Sequence, residues 1–171
     1  MGSGIGGNYS GTSGSSQPYA NTYKVVCSQL RKDKKDRDIY SGNSGYFKNP
    51  TAVYLESSVS ENRIEIEGHR AEGKMTYVMD KTGNIIFGKR SNPNNAQKRA
   101  PHPTLIGGKN PEVQCAGMID FRKGKIYSVD ISSGHYKPNI KSLEKVDKAL
   151  QQLCNKNPNL FSRDSKWRKK K

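Results

Sequence analysis

The chain has 171 residues and carries 30 lysine and arginine residues against 15 aspartate and glutamate residues, a formal charge of +15. A surplus of this size attracts polyanions, whether nucleic acid, an acidic protein or an anionic membrane face. Hydrophobic residues make up 32% of the chain, and no apolar run approaches the roughly 20 residues that span a bilayer. We therefore expect one small domain without a membrane span.

Both ends of the chain are predicted to be flexible. Residues 1–22 form a linker rich in glycine and serine, and a linker at the start suggests that the chain is part of a larger protein. Residues 162–171 form a basic tail. The folded domain is predicted over residues 23–161. It begins with a short helical or irregular region, in which the charge run KDKKDRD (32–38) is interpreted as solvent-exposed.

From residue 63 onward the sequence predicts β-strands. The segments KMTYVMDKTGNIIFGKR (74–90) and VQCAGMIDFRKGKIYSVDI (113–131) each predict a hairpin with a glycine in its turn. RIEIEG (63–68) and TLIGG (104–108) predict further short strands. Residues 91–103, between the first hairpin and TLIGG, have the composition of a loop.

A helix is predicted near the C-terminus, because apolar residues follow helical spacing there. They form one stripe: Ile140, Leu143, Val146, Ala149, Leu150 and Leu153. The fold class is thus α+β, an antiparallel β-meander of about five strands with a C-terminal amphipathic helix packed on one face.

The three cysteines, Cys27, Cys115 and Cys154, lie far apart and form no C-x-x-C pair. This spacing argues against a zinc site and against a disulfide framework. We expect three free thiols, with a single bridge and one spare thiol as the alternative. Cys115 is interpreted as a small core residue, and a catalytic thiol at this position is left open.

Two of the three histidines lie at predicted strand ends beside proline or glycine, His102 in APHP and His135 in SGHYKP. Such positions present a side chain on a loop while the sheet holds it in place. An imidazole exchanges protons near neutral pH, so two of them across a phosphodiester would cleave RNA without a metal. One would deprotonate the 2′-hydroxyl and the other would protonate the leaving 5′-oxygen. The alternative is that each histidine is a polar cap at the end of a strand.

Neighbouring residues are candidates for supporting this chemistry. Tyr136 and Thr104 supply hydroxyls that would stabilise the negative charge of the transition state. The candidates for substrate binding are Lys109, Ser133, Lys137, Gly107 and Gly108. The two glycines would offer backbone N–H groups to a phosphate, or would simply make a turn with positive φ.

The chain from Gly2 to Lys137 resembles the C-terminal toxin domains of bacterial polymorphic toxins. The stretches DIYSGNSGYFKNPTAV (38–53) and NPNNAQKRAPHPTLIGGKNPEVQCAGMIDF (92–121) carry this resemblance. It implies that the domain is secreted as part of a larger protein and acts in the cytoplasm of a competing bacterium. It also implies a cognate immunity protein, which should be acidic because this domain is basic.

A shorter block, from Thr76 to Pro138, is similar to a block of plant calmodulin-binding IQ-motif proteins. The matching residues are His102, Gly107, Gly108, Ala116, Gly117, Ser133, Gly134, His135, Tyr136 and Pro138. The sequence departs at Pro103 and Thr104, where the plant block has serines, and it has no IQ helix, so calmodulin binding is not implied. A meander with a His–Tyr pair near its end also looks like the barnase-like and EndoU-like toxin nucleases.

The leading hypothesis is a toxin ribonuclease that cleaves tRNA or rRNA without a cofactor. The first alternative is an ADP-ribosyltransferase that binds NAD and modifies RNA or protein. That reaction would need a carboxylate in the pocket, for which Glu112, Asp120 and Asp130 are the candidates. The second alternative is a non-enzymatic basic binding module whose histidines are structural.

Overall fold

The computed structural model describes residues 16–92 and 95–165 and has an α+β fold. Residues 1–15 of the predicted linker and 166–171 of the predicted basic tail lie outside the described residues. In chain order the elements are α1 (Cys27–Lys34), β1 (Tyr40–Ser41), β2 (Gly45–Tyr46), β3 (Val53–Tyr54), β4 (Val59–Ser60), β5 (Arg63–Ile66), β6 (His69–Arg70), β7 (Gly73–Met79), β8 (Ile85–Gly88), β9 (Ser91–Asn92), β10 (Asn95–Arg99), β11 (Cys115–Arg122), β12 (Lys125–Val129) and α2 (Leu143–Lys156).

The core of the fold is an antiparallel sheet of five strands in the order β12-β11-β7-β8-β3. The two predicted hairpins are confirmed as β7–β8 and β11–β12, and Gly83 and Gly124 in their turns have φ of +93° and +81°. The long connection after β8 brings β11 beside β7, with Gly117 opposite Tyr77. The predicted strand at residue 63 is β5, which belongs to a separate small sheet with β4 and β6.

Two local predictions between the hairpins are wrong. The segment predicted as a strand at 104–108 is instead part of a 3₁₀ helix, His102–Leu105, followed by a turn. Pro101 precedes this helix and Pro103 lies in its first turn, where the missing N–H group of proline leaves no helical hydrogen bond unmade. The segment predicted as a loop contains the antiparallel pair β9–β10.

Both faces of the central sheet are covered. On one face, α2 packs its predicted apolar stripe, with Leu143, Val146, Leu150 and Leu153 buried against a cluster that includes Tyr77. Alternate residues of the strands point to the other face. There Val78, Ile86 and Ala116 pack with Tyr23, Tyr46, Leu105 and Tyr136 in a second cluster. The site described below lies on this second face, opposite α2.

No helix among the described residues has the length and apolar character required to cross a bilayer. The three cysteines are free thiols, with Cys27 exposed and Cys115 buried. Within residues 16–92 and 95–165, no group of three or more histidine, cysteine, aspartate and glutamate side chains is arranged to hold a metal ion.

Gly117 lies where another chain segment passes over the sheet. A Cβ atom built on Gly117 would lie 1.9 Å from the carbonyl oxygen of Asp130 and 2.9 Å from the Cα of Ile131. Both obstacles are backbone atoms, which cannot rotate away as a side chain would. Only glycine therefore permits the segment after β12 to pack this closely on β11.

We predict that Gly117→Ala lowers the free energy of unfolding by about 3 kcal/mol or more, because backbone must move to admit the methyl group. The matched control is Gly42→Ala, since no atom lies within 4 Å of its Cβ position. The control should change stability by less than about 0.5 kcal/mol. Urea denaturation of both variants measures the difference, and equal stabilities would show that the crossing is loosely packed.

Candidate active site

A buried hydrogen-bonded pair, His135 and Asp33, connects the two ends of the domain. The Nε2 atom of His135 lies 2.8 Å from Oδ2 of Asp33, and the hydroxyl of Tyr46 donates to the same oxygen at 2.6 Å. Arg99 lies 3.4 Å from the other carboxylate oxygen. Because an ionised carboxylate can only accept hydrogen bonds, Nε2 of His135 carries the proton in this contact.

Local structure brings the pair together. Asp33 lies in the last turn of α1, and the residue before this helix, Val26, donates its backbone N–H to the carbonyl of His135 at 2.8 Å. The turn that holds His135 is closed by a bond from the Lys137 N–H to the Ser133 carbonyl. Two contacts, one through the backbone and one through side chains, thus fix His135 against α1.

Asp33 stays ionised although its side chain is almost fully buried. Burial alone raises the pKa of this carboxyl, but the hydrogen bonds from His135 and Tyr46 and the charges of His135 and Arg99 outweigh it. The net effect is that the pKa of Asp33 is lowered from its ordinary value. At neutral pH the carboxylate is therefore a fixed negative charge behind His135.

The interpretation of the charge run KDKKDRD as wholly solvent-exposed is wrong at Asp33. Five cations of the run and its flank are exposed, but the Asp33 side chain points inward and is fully buried. Helical spacing carried a signal for this. Val26, Leu30 and Asp33 are spaced by four and then three residues, so they share one face of the helix.

His102 lies in the 3₁₀ helix and is also buried, with 6% of its surface exposed. Its Nε2 atom is 2.8 Å from the carbonyl oxygen of Gly117, which requires that Nε2 carries hydrogen. Burial lowers the pKa of His102 to about 4, and the charges of His135 and Arg90 act in the same direction. At neutral pH the ring is neutral, so its other nitrogen, Nδ1, is an acceptor for a proton.

A cavity of about 410 Å³ opens beside these histidines. Its wall includes Lys74, Thr76, Arg90, Arg99, His102 and Met118. The other side is formed by Ser132 and Gly134, the latter adjacent to His135 in the chain. His135 itself is not among the lining residues of the described chain. The cavity therefore combines one histidine in its wall, a second next to a lining residue in the chain, and several cationic side chains.

The predicted hydroxyl groups make contacts inside the protein. Thr104 donates to the carbonyl of Pro101 at 2.7 Å, and Tyr136 donates to the carbonyl of Pro111 at 2.7 Å. Tyr136 is fully buried in the second core cluster, and burial raises the pKa of its hydroxyl above the ordinary value. Ser133 accepts from the backbone N–H of Tyr136 at 3.2 Å. These three side chains hold the two histidine-bearing turns in shape, and none of them lines the cavity as described.

The remaining predicted binding residues lie away from the cavity wall. Gly107 and Gly108 have positive φ, and their N–H groups donate to the carbonyls of Pro103 and Tyr46, which gives them the turn role. Lys109 is exposed, and its carbonyl accepts from the hydroxyl of Tyr40. Lys137 has φ of +44°, and its carbonyl accepts from the N–H of Gln17.

The three carboxylates considered for ADP-ribosyl transfer have other partners. Glu112 accepts from the hydroxyl of Thr22 at 3.0 Å. Asp130 accepts from the N–H groups of Met118 and Ser132, and Asp120 lies 4.0 Å from Arg122. No carboxylate is among the residues that line the cavity in the described part of the chain.

Sequence reasoning missed Asp33, Tyr46 and Arg99, together with Lys74 and Arg90 of the cavity wall. These residues come from five separate places in the chain, so only the fold brings them together.

Comparisons of the chain with protein-family models, with curated proteins and with solved structures found no match. The functional argument therefore rests on the geometry of the site.

The low pKa of His102 predicts a specific dependence of stability on pH. The imidazole has an ordinary pKa of 6.5 and a folded pKa of about 4, so the folded state binds this proton less readily than the unfolded state. The stability that follows is complete above pH 6.5 and is lost as the pH falls toward 4, to a total of about 3 kcal/mol. Urea unfolding from pH 7 to pH 4 should show that His102→Gln loses about this much less stability than the wild type.

His69 provides the control for this experiment, since it is exposed. His69→Gln should follow the wild-type dependence on pH. If His102→Gln also followed it, the imidazole of His102 would have to titrate normally in the folded protein.

The burial of Asp33 predicts a large effect of removing its charge. We expect Asp33→Asn to lower the free energy of unfolding at pH 7 by about 2 to 4 kcal/mol, because buried donors lose a charged acceptor. Asp36→Asn is the control, since Asp36 also meets Arg99, at 3.5 Å, but is half-exposed. Its effect should stay below about 1 kcal/mol. Similar losses in both variants, measured by urea unfolding, would contradict the proposed burial of the charge.

Proposed function

We propose that this domain is a ribonuclease that cleaves tRNA or rRNA without a metal, by acid–base catalysis with His102 and His135. The observation that carries the proposal is the cavity of about 410 Å³ whose wall combines His102 with Lys74, Arg90 and Arg99. A cationic wall attracts a phosphodiester, and an imidazole beside it supplies proton transfer at the bound phosphate.

The two histidines suit different steps because their surroundings differ. His102 is neutral above its pKa of about 4, so its Nδ1 atom accepts the proton of the 2′-hydroxyl. His135 donates its Nε2–H to the ionised Asp33, which leaves its Nδ1 atom as the nitrogen that exchanges a proton with the substrate. In the proposed reaction His135 is the acid, and its Nδ1 atom donates a proton to the leaving oxygen.

The proposed reaction balances within the substrate and these two side chains. The 2′-oxygen attacks phosphorus as its proton passes to His102, and the bond from phosphorus to the 5′-oxygen breaks as His135 protonates that oxygen. The products are a 2′,3′-cyclic phosphate and a free 5′-hydroxyl. Lys74, Arg90 and Arg99 stabilise the charge that grows on the phosphate oxygens. Thr104 and Tyr136 support the fold of the site in this scheme, since their hydroxyls donate to backbone carbonyls.

The site supports the two alternative functions less well. ADP-ribosyl transfer from NAD would require a carboxylate in the pocket, and the candidates Glu112, Asp120 and Asp130 are engaged elsewhere. A binding module without catalysis would keep the cationic wall, but it would give the imidazole of His102 in that wall no role.

The biological role that we propose is that of a toxin domain delivered into a competing bacterium. A cell that makes such an enzyme needs a cognate immunity protein, and the charge of +15 favours an acidic one that covers the cavity. RNA and this inhibitor would then compete for the same cationic surface.

The decisive experiment incubates the purified domain with total RNA in the presence of EDTA. We expect cleaved tRNA or rRNA with 2′,3′-cyclic phosphate ends. His102→Gln and His135→Gln should each slow cleavage by about 10²- to 10⁴-fold, because each removes one proton transfer. Circular dichroism is used to check that both variants fold, and His69→Gln should cleave at the wild-type rate.

The other outcomes separate the hypotheses. Intact RNA together with release of nicotinamide from NAD would support the transferase. RNA that is bound but never cleaved would support the binding module. Full activity in both histidine variants would contradict the proposed mechanism even if the domain were a nuclease.

A further inference from the structure

The exposed side of α1 and of the turn after it is a strip of cations beside the cavity. Within this part of the described chain, Arg31, Lys32, Lys34, Lys35 and Arg37 are all exposed, and none forms an ion pair with a described carboxylate. We call these five residues the α1 ridge.

Two of the three acidic residues of the same run have partners outside the ridge. Asp33 is turned into the protein and bonded to His135, and Asp36 is 3.5 Å from Arg99. The third, Asp38, is exposed after Arg37. Along a helix Arg31, Lys34 and Lys35 are spaced by three and four residues, so they share the side that faces away from Asp33. The fold therefore separates charges that alternate in the sequence and leaves one face strongly positive.

The α1 ridge borders the cavity at Asp36. Arg99 lines the cavity wall and lies 3.5 Å from Asp36, whose neighbours in the chain, Lys35 and Arg37, belong to the ridge. A chain of phosphates that leaves the cavity past Arg99 would therefore pass these two residues. The cavity, at about 410 Å³, has the size of a single nucleotide, so the rest of a polymeric substrate must lie outside it.

We propose that the α1 ridge is a second binding surface that holds the phosphate backbone of single-stranded RNA next to the cavity. The inference rests on the proposed ribonuclease function and adds to it a preference for polymeric over very short substrates. Its basis is charge: exposed, unneutralised lysine and arginine side chains bind successive phosphates and release their counterions. A cationic surface that tracks the backbone beside a pocket is how single-stranded nucleic acid is held without sequence preference.

The test uses the full chain with Lys34→Gln and Lys35→Gln combined. The control combines Lys141→Gln and Lys148→Gln, which removes the same amount of charge from two exposed lysines. Lys148 lies in α2 and Lys141 just before it, on the opposite face of the sheet. Substrates are a trinucleotide and a single-stranded RNA of about 15 nucleotides, near the upper end of what one single-strand groove binds. The readouts are kcat/KM on both substrates and the salt dependence of Kd for the longer one.

We expect the ratio of kcat/KM for the long substrate to that for the trinucleotide to fall about tenfold in the ridge variant and to be unchanged in the control. The slope of log Kd against log salt should decrease by about 1.4, since each phosphate contact with a single strand contributes about 0.7. Equal losses on both substrates, or equal slopes in the ridge variant and the control, would overturn the inference.

Failure of the proposed function gives a different result. If the wild type cleaves neither RNA but the ridge variant still shows the smaller salt slope, the binding surface stands and the catalytic proposal falls. If the wild type cleaves RNA and the ridge variant matches it on both substrates, catalysis stands and the ridge does not bind RNA. Loss of binding to an acidic protein alone, with RNA binding intact, would assign the ridge to a protein partner and overturn the inference as well.

Discussion

The organisation of this domain depends on one buried carboxylate. Asp33 holds a full negative charge where solvent does not reach, and such a charge is tolerated only with strong partners. It has three: the imidazole of His135, the hydroxyl of Tyr46 and the guanidinium of Arg99. These partners come from a turn near the C-terminal helix, from β2 and from β10. The hydrogen bonds and the ion pair of one side chain therefore connect three other segments to α1.

The same arrangement explains why the two histidines differ. His135 shares its hydrogen with a carboxylate, whereas His102 shares its hydrogen with the neutral carbonyl of Gly117. Burial beside this neutral acceptor lowers the pKa of His102 to about 4. The two rings therefore differ in their hydrogen-bond partners and not in their distance from solvent, since both are nearly buried.

Much of the scaffold could be predicted from the sequence because its signals are local. The alternation of β7 and β8, the glycines in two hairpin turns and the stripe of α2 each depend on residues close together in the chain. The two histidines could also be singled out, since their proline and glycine neighbours mark turns between regular elements. The identity of their partners could not, because Asp33 is 102 residues from His135 and lies in a run whose composition indicates solvent exposure. The sequence also does not show that the hydroxyls of Thr104 and Tyr136 donate to backbone carbonyls, since the positions of those carbonyls depend on the path of the backbone.

Two independent structural roles meet at Gly117. The absence of a side chain admits the backbone of Asp130 and Ile131, and the carbonyl oxygen of the same residue fixes the ring of His102. The position of the hydrogen on the His102 ring therefore depends on how closely the backbone of residues 130 and 131 packs on β11. A shift of the segment at residues 130 and 131 would move the carbonyl oxygen that holds the His102 ring, so looser packing at this point would change how that ring is oriented.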